Sequence, residues 1–106
     1  MARRYQIVLM TAADRTEAER IAQALVGERL AACVNIVDGC HSVYRWEGKV
    51  VSGKEVLLIA KTEQGKFVEL ERKVRSVHSY DVPEIIALDL DAISETYRAF
   101  LHDTLG

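Results

Sequence analysis

The amino-acid sequence predicts an α+β fold in which two helices cover one face of an antiparallel sheet. Segments with the apolar patterns of strands and segments with the 3.6-residue pattern of helices follow one another in the order β-α-β-β-α-β, and a further helix ends the chain. The two central strands are separated only by a tight turn, so they form a hairpin. This order is typical of a ferredoxin-like sandwich. With 106 residues, the chain is expected to be one domain over residues 1–106.

The first strand and the first helix have clear patterns. Residues 5–11, "YQIVLMT", form a short apolar run that predicts a buried strand. Asp14 can cap the helix that follows, and Thr16 with Glu19 has the spacing of a capping box. Residues three and four apart predict the apolar side of this helix: Ala18, Ile21, Ala22, Leu25 and Val26.

The central hairpin is unusually long. Its strands are predicted over 31–46 and 50–62, with a turn at Gly48 and irregular points at Asp38-Gly39 and Ser52-Gly53. Each arm would be roughly 50 Å long, whereas natural strands usually have about 3–10 residues. The outer part of the hairpin is apolar and contains Val43, Tyr44, Trp46, Val50 and Val51. It either folds back over its own sheet or packs on another copy of the chain, and we expect the second, in a closed oligomer.

The second half of the chain predicts a helix, a strand and a final helix. The helix covers 63–78, with Phe67, Leu70, Val74 and Val77 directed inward. The strand covers 83–91, and Ile86, Leu88 and Leu90 share one of its faces. The last helix covers 93–105, with Ser94 as N-cap and an apolar side made of Tyr97, Phe100, Leu101 and Leu105.

Composition and charge exclude several classes of function. The net charge is −2 and no basic stripe is present, so we expect no nucleic-acid partner. No apolar run approaches the roughly 20 residues of a membrane span, so we expect no membrane partner. Cys33 and Cys40 lie on one predicted strand, too far apart for a disulfide. Reduced cysteines favour a cytoplasmic location.

Four segments resemble the CutA family of small divalent-cation tolerance proteins. They are "ERLAACVNIV", "SVYRWEGKV", "EVLLIAKT" and "HSYDVPEIIAL", in this order, and the resemblance extends over nearly the whole chain. It implies a homotrimer of ferredoxin-like subunits, related in architecture to the PII signalling proteins. It also implies a role in tolerance to copper and other divalent cations, direct copper binding in some members, and no enzymatic activity. No metal is expected to be required for folding.

The resemblance also implies a candidate copper site. In the family it combines a cysteine at the end of the first strand with a histidine pair, and these positions hold Met10, Val77 and His78 here. Met10 offers a soft sulfur suited to Cu(I), and the His78 imidazole serves either oxidation state of copper. Alternatively, His78 ends the second helix and interacts with the last carbonyls and the helix dipole.

A second candidate site is an intersubunit cleft formed by Tyr44, Trp46, Lys61, Tyr80 and Glu84. Tyr44 and Trp46 share one face of the hairpin, where packing at an interface is favoured over nucleic-acid stacking because few basic residues surround them. Alternatively, Glu84 forms an ion pair with a cation such as Lys61. Pro83 just before Glu84 favours the start of a strand.

Three functions remain open at this point. The first is a trimeric metal-tolerance protein, and the second is a PII-like signalling or scaffold trimer that binds a small molecule or a protein in its clefts. The third, an enzyme of the acylphosphatase kind, is disfavoured because no glycine-rich loop follows the first strand. A metallochaperone of the same fold would need a C-x-x-C motif, which the sequence lacks.

Overall fold

The computed structural model describes residues 3–106 and confirms the predicted fold class. Four antiparallel strands form one sheet in the order β2-β3-β1-β4. The elements are β1 (Tyr5–Ala12), α1 (Arg15–Gly27), β2 (Cys33–Trp46), β3 (Lys49–Glu63), α2 (Phe67–Val77), β4 (Ile85–Asp89) and α3 (Glu95–Leu105). A single 3₁₀ turn, Gln64–Lys66, leads into α2, so this helix begins later than its sequence pattern predicts.

The main core lies between the sheet and the helices α1 and α2. Alternate residues of each strand point to the same face, and those on the inner face are buried against the two helices. The inner layer of the sheet contains Val8, Met10, Ala12, Val56, Leu58 and Ala60, and the helices contribute Ala18, Ile21, Leu25, Leu70 and Val74. The predicted apolar sides of α1 and α2 are therefore confirmed, except that Val26 is exposed.

Helix α3 packs on the other face of the sheet, at one end. Leu101 and Leu105 are buried against Tyr5 and Ala32. Tyr5 is three positions from the inward residue Val8, so strand alternation places its side chain on the opposite face. Ser94 caps the helix by accepting a hydrogen bond from the N–H of Tyr97, as predicted. The rest of this outer face is left without a helix.

The hairpin of β2 and β3 extends beyond the rest of the subunit. The molecule measures 45 × 26 × 23 Å, and Val43 and Val50 near the tip are each 67% exposed. The hairpin therefore does not fold back over its own sheet. Its two turn residues, Glu47 and Gly48, have φ values of 49° and 78°, as in the type I′ turns that suit the twist of a hairpin.

The structure confirms one of the two irregular points predicted in this hairpin. The register shifts between Val37 and Cys40, where Gly39 has a φ of 81°. In contrast, Ser52 and Gly53 pair in continuous register with Val43 and Ser42, so the second predicted irregularity was wrong. Glycine also occurs within regular strands, and the residues around Gly53 do not show whether the strand is regular or bulged there.

Both cysteines are free thiols, which confirms that Cys33 and Cys40 do not pair with each other. Of the helices within residues 3–106, none is long and apolar enough to cross a membrane.

Candidate functional site

The segment between α2 and β4 is held against the end of β1 by His78. This residue ends α2 with extended backbone angles, φ −87° and ψ 142°, and its ring is fully buried. The nitrogen Nδ1 accepts a hydrogen bond from the N–H of Tyr80 at 3.0 Å, so Nε2 carries the proton and donates to the carbonyl oxygen of Thr11 at 2.7 Å. The predicted place of His78 at the helix end is confirmed. Its partner, however, is β1 and not a carbonyl of its own helix.

Glu17 connects the same segment to the start of α1. One carboxylate oxygen accepts a hydrogen bond from the N–H of Ala13 at 2.9 Å, and the other accepts one from the N–H of Ser79 at 2.8 Å. Burial favours a raised pKa for this carboxyl group, but the hydrogen bonds that it accepts from Ala13 and Ser79 outweigh that effect and leave the pKa lowered. Glu17 is therefore a buried, ionised anchor between two loops that are distant in sequence.

Tyr80 extends the connection to the hairpin. Its hydroxyl donates a hydrogen bond to a carboxylate oxygen of Glu55 on β3 at 2.8 Å, and its ring lies 4.6 Å from the His78 ring, centroid to centroid. Desolvation, followed by the hydrogen bond to Glu55, raises the pKa of the Tyr80 phenol far above its ordinary value. The phenol therefore stays protonated and continues to donate to Glu55.

Between this segment and the outer part of the hairpin lies a cleft of about 520 Å³. Its walls are the side of the hairpin that carries Tyr44 and Trp46 and the segment that carries Tyr80 and Glu84. The full lining is Thr11, Ser42, Val43, Tyr44, Trp46, Glu55, Tyr80, Asp81, Val82 and Glu84. Four of the five residues predicted to form a cleft therefore lie together within one subunit.

Lys61, the fifth residue, does not line this cleft in the subunit. It lies opposite both Ile7 and Cys33 in the sheet, and its Nζ is 3.9 Å from the Cys33 sulfur. The alternative interpretation, an ion pair between Glu84 and Lys61, is not formed either. Within residues 3–106, Glu84 has no ion-pair partner.

A second surface of interest is the outer face of the sheet. We define the open face as Ile7, Leu9, Leu57, Ile59, Ile86 and Leu88. Its members are brought together by register: Ile7 pairs with Leu88, and Leu9 pairs with both Ile59 and Ile86. Directly opposite residues point to the same side of a sheet. Ile86 is 52% and Leu88 54% exposed, so the subunit leaves an apolar surface over three strands.

Comparison with known proteins identifies the family. The profile of the CutA1 divalent ion tolerance protein matches residues 6–104. The chain belongs to the CutA1 family. It is 46% identical over 101 residues to the divalent-cation tolerance protein CutA of Thermus thermophilus, covering 95% of this chain and 98% of that one. The CutA resemblance found in the sequence is thereby confirmed.

Other CutA proteins agree in sequence and in fold. The chain is 46% identical over 98 residues to the chloroplastic protein CutA of Arabidopsis thaliana, covering 92% of this chain and 54% of that one. A solved structure of the divalent cation tolerance protein (Cut A1) from Thermus thermophilus superposes with a TM-score of 0.93 at 45% identity, covering 96% of this chain and 99% of that one. Strands, helices and the long hairpin are therefore those of a CutA subunit.

The copper site that the CutA resemblance implied does not fit the residues well. Met10 is fully buried in the main core, and both nitrogens of His78 are already engaged in hydrogen bonds. A metal at His78 would have to replace one of these bonds. In the part of the chain that the structure describes, no group of three or more His, Cys, Asp or Glu side chains could hold a metal ion.

Sequence reasoning missed Glu17, Glu55 and Asp81. For Glu17 a signal was present, because Asp14 accepts a hydrogen bond from the N–H of Glu17 and the pair has the spacing of a capping box. The capping box was instead predicted at Thr16 and Glu19, which have the same spacing. Glu55 and Asp81 carry no such signal, because they enter the cleft only through the pairing of β2 with β3 and the path of the segment after α2.

Proposed function

We propose that this CutA1 protein acts as a homotrimer in divalent-cation tolerance. The observation that carries the proposal is the open face, an apolar surface opposite the main core that a single subunit leaves partly exposed. Burial of apolar surface is the dominant favourable contribution in most protein associations. Three sheets packed face inward around a three-fold axis would cover it and would close the assembly.

The hairpin supports the same proposal. Tyr44 and Trp46 are each 50% exposed on its outer part, and an isolated two-stranded ribbon is only marginally stable in water. Packing each hairpin on a neighbouring subunit would stabilise it. Because the cleft lies along this hairpin, a neighbouring subunit would then border the cleft, as the term intersubunit cleft implies.

Direct copper binding through Met10 and His78 stays a prediction. In this proposal copper, or another divalent cation, is the cargo or signal of the protein and not a group that its fold requires. The non-enzymatic role and the cytoplasmic location also stay predictions. The relative from Arabidopsis thaliana is named chloroplastic, so location varies among proteins with these names.

Native mass spectrometry of the purified protein, titrated with Cu(I), Cu(II) and Zn(II), tests assembly and metal binding together. We expect the mass of a trimer, and a monomer at working concentration would contradict the proposal. If His78 is a ligand, the trimer takes up three ions of one metal and His78→Ala loses them. Equal uptake by the wild type and the variant would exclude His78 as a ligand.

The alternative function is a PII-like signalling or scaffold trimer that binds a small molecule or protein in its clefts. One specific observation favours it, namely a cleft of about 520 Å³, which is within the range of small-molecule sites. The two functions differ in what the protein must bind. A trimer that takes up no metal but binds an organic compound in the cleft would favour the alternative.

A further inference from the structure

The cleft along the hairpin combines negative charge with aromatic walls. Its carboxylates are Glu55, Asp81 and Glu84, and its aromatic rings are Tyr44, Trp46 and Tyr80. Among the residues that the structure describes, the lining contains no Lys, Arg or His. None of the three carboxylates is neutralised by an ion pair within residues 3–106. The cleft therefore favours a positively charged occupant.

The arrangement of these groups is unsuited to a bare metal ion. A divalent cation needs several oxygen, nitrogen or sulfur ligands within about 2.0–2.6 Å, and no such group of three side chains is formed in the described chain. One carboxylate, that of Glu55, also accepts the hydrogen bond from Tyr80. Moreover, the volume of about 520 Å³ is that of a site for an organic molecule.

Aromatic faces attract organic cations in particular. The face of a Trp or Tyr ring carries partial negative charge, and rings arranged around an ammonium group are a known means of binding it. Tyr80 is held in place by its hydrogen bond to Glu55 and by contact with the His78 ring. A fixed ring loses little side-chain entropy on binding. The hairpin supplies the opposite wall through Tyr44 and Trp46.

We propose that this cleft binds a small organic cation, a compound with an ammonium group that lies against the aromatic rings while the carboxylates supply the opposite charge. This goes beyond the proposed function in metal tolerance. The ten lining residues described above belong to one subunit, and in the proposed trimer a neighbouring subunit would border the same cleft. The inference requires no metal, so it can fail or succeed independently of metal binding. Trp46 is the only tryptophan of the chain, and its fluorescence therefore reports on the cleft directly.

The test uses the assembled full-length protein and three probes. Trp46 fluorescence is titrated with choline, with its neutral isostere 3,3-dimethylbutan-1-ol, and with Mg²⁺. We expect choline to bind at least about tenfold more tightly than the neutral alcohol, since the two differ in charge and hardly in shape. Equal binding of the alcohol would overturn the proposal, as would no response to choline or displacement of choline by Mg²⁺ at equal concentration.

Variants locate the binding within the cleft. Glu84→Gln removes one carboxylate charge, and Tyr44→Leu removes an aromatic face while keeping apolar area. Each is expected to weaken choline binding about threefold to tenfold. Glu95→Gln, an exposed carboxylate in the first turn of α3, is the matched control and should leave binding unchanged. Weakening in the control to the same degree as in Glu84→Gln would show only a general effect of net charge and would overturn the assignment.

Discussion

Both faces of the sheet are apolar, but the helices of the subunit cover only one of them fully. On β3, Val56, Leu58 and Ala60 point inward and are buried under α1 and α2. Leu57 and Ile59, which alternate with them, point outward and are only partly covered. A strand that reads as a continuous apolar run is typical of burial on both faces. The difference between the faces indicates that the second cover comes from outside the subunit.

The largest expected effect is on assembly, and Ile59→Asp tests it. If the open face is the contact between subunits, the variant would bury an unpaired carboxylate there, which costs several kcal/mol per subunit unless assembly is lost. We expect a folded monomer, with circular dichroism like that of the wild type and one third of the mass in sedimentation analysis. A variant that remains a trimer would contradict the role of the open face.

Two further variants separate the faces. Val68→Asp places the same charge at a valine of α2 that is 63% exposed, and it should leave the trimer intact. Leu58→Ala, one residue before Ile59 but fully buried in the main core, should also leave the trimer intact. It should nevertheless lower the free energy of unfolding by about 2–5 kcal/mol, as large-to-small substitutions in a core do.

Most of the fold could be predicted from local patterns. The 3.6-residue period of α1, the alternation of β4 and the cap at Ser94 depend on neighbours in sequence, and all three are confirmed. Which face of β4 points inward could not be predicted. Ile86 and Leu88 do share a face, but it is the outer one, while Ile85 and Ala87 pack on the core. Both pairs are apolar, so hydrophobicity alone does not distinguish them.

The candidate site was predicted less completely because it is built from contacts distant in sequence. Tyr44, Trp46, Tyr80 and Glu84 were placed together from the resemblance and from the aromatic pattern of the hairpin. The bonds that hold them in position, from Ser79 to Glu17 and from Tyr80 to Glu55, join residues 62 and 25 positions apart. Composition and periodicity carry no information about such pairs.

The next largest effect is expected at Glu17, which fixes one wall of the cleft to the main core. Glu17→Gln removes the negative charge and leaves one acceptor oxygen for two N–H groups, those of Ala13 and Ser79, and losing a hydrogen bond to a charged acceptor costs about 1.5–3 kcal/mol. We expect a loss of that size in the free energy of urea unfolding at pH 7. Glu95→Gln changes an exposed glutamate in the first turn of α3 and should cost far less.

A comparison of the wild type with Glu17→Gln at different pH values gives a second test of this role. The pKa of Glu17 in the folded protein is lowered from its ordinary value of 4.5. Its contribution to stability is therefore present above pH 4.5 and is lost as the pH falls from there through the folded-state pKa. The difference in unfolding free energy between wild type and Glu17→Gln should shrink over this range. A difference that grew with acidity would contradict the lowered pKa.

The smallest effect is expected at Tyr80, whose hydroxyl connects the segment after α2 to the hairpin. Tyr80→Phe removes the hydroxyl that donates to Glu55 at 2.8 Å but keeps the ring against His78. A single hydrogen bond of this kind contributes about 1 kcal/mol, somewhat more when the acceptor is charged. We expect a decrease of that size in unfolding free energy, with the trimer intact.

Tyr44→Phe removes a hydroxyl from the half-exposed ring across the cleft and should change stability much less. Tyr80 joins the segment after α2 to the exposed hairpin. An equal effect of the two variants would therefore mean that the hairpin is not held by the hydrogen bond from Tyr80 to Glu55. Its position would then depend on the neighbouring subunit alone.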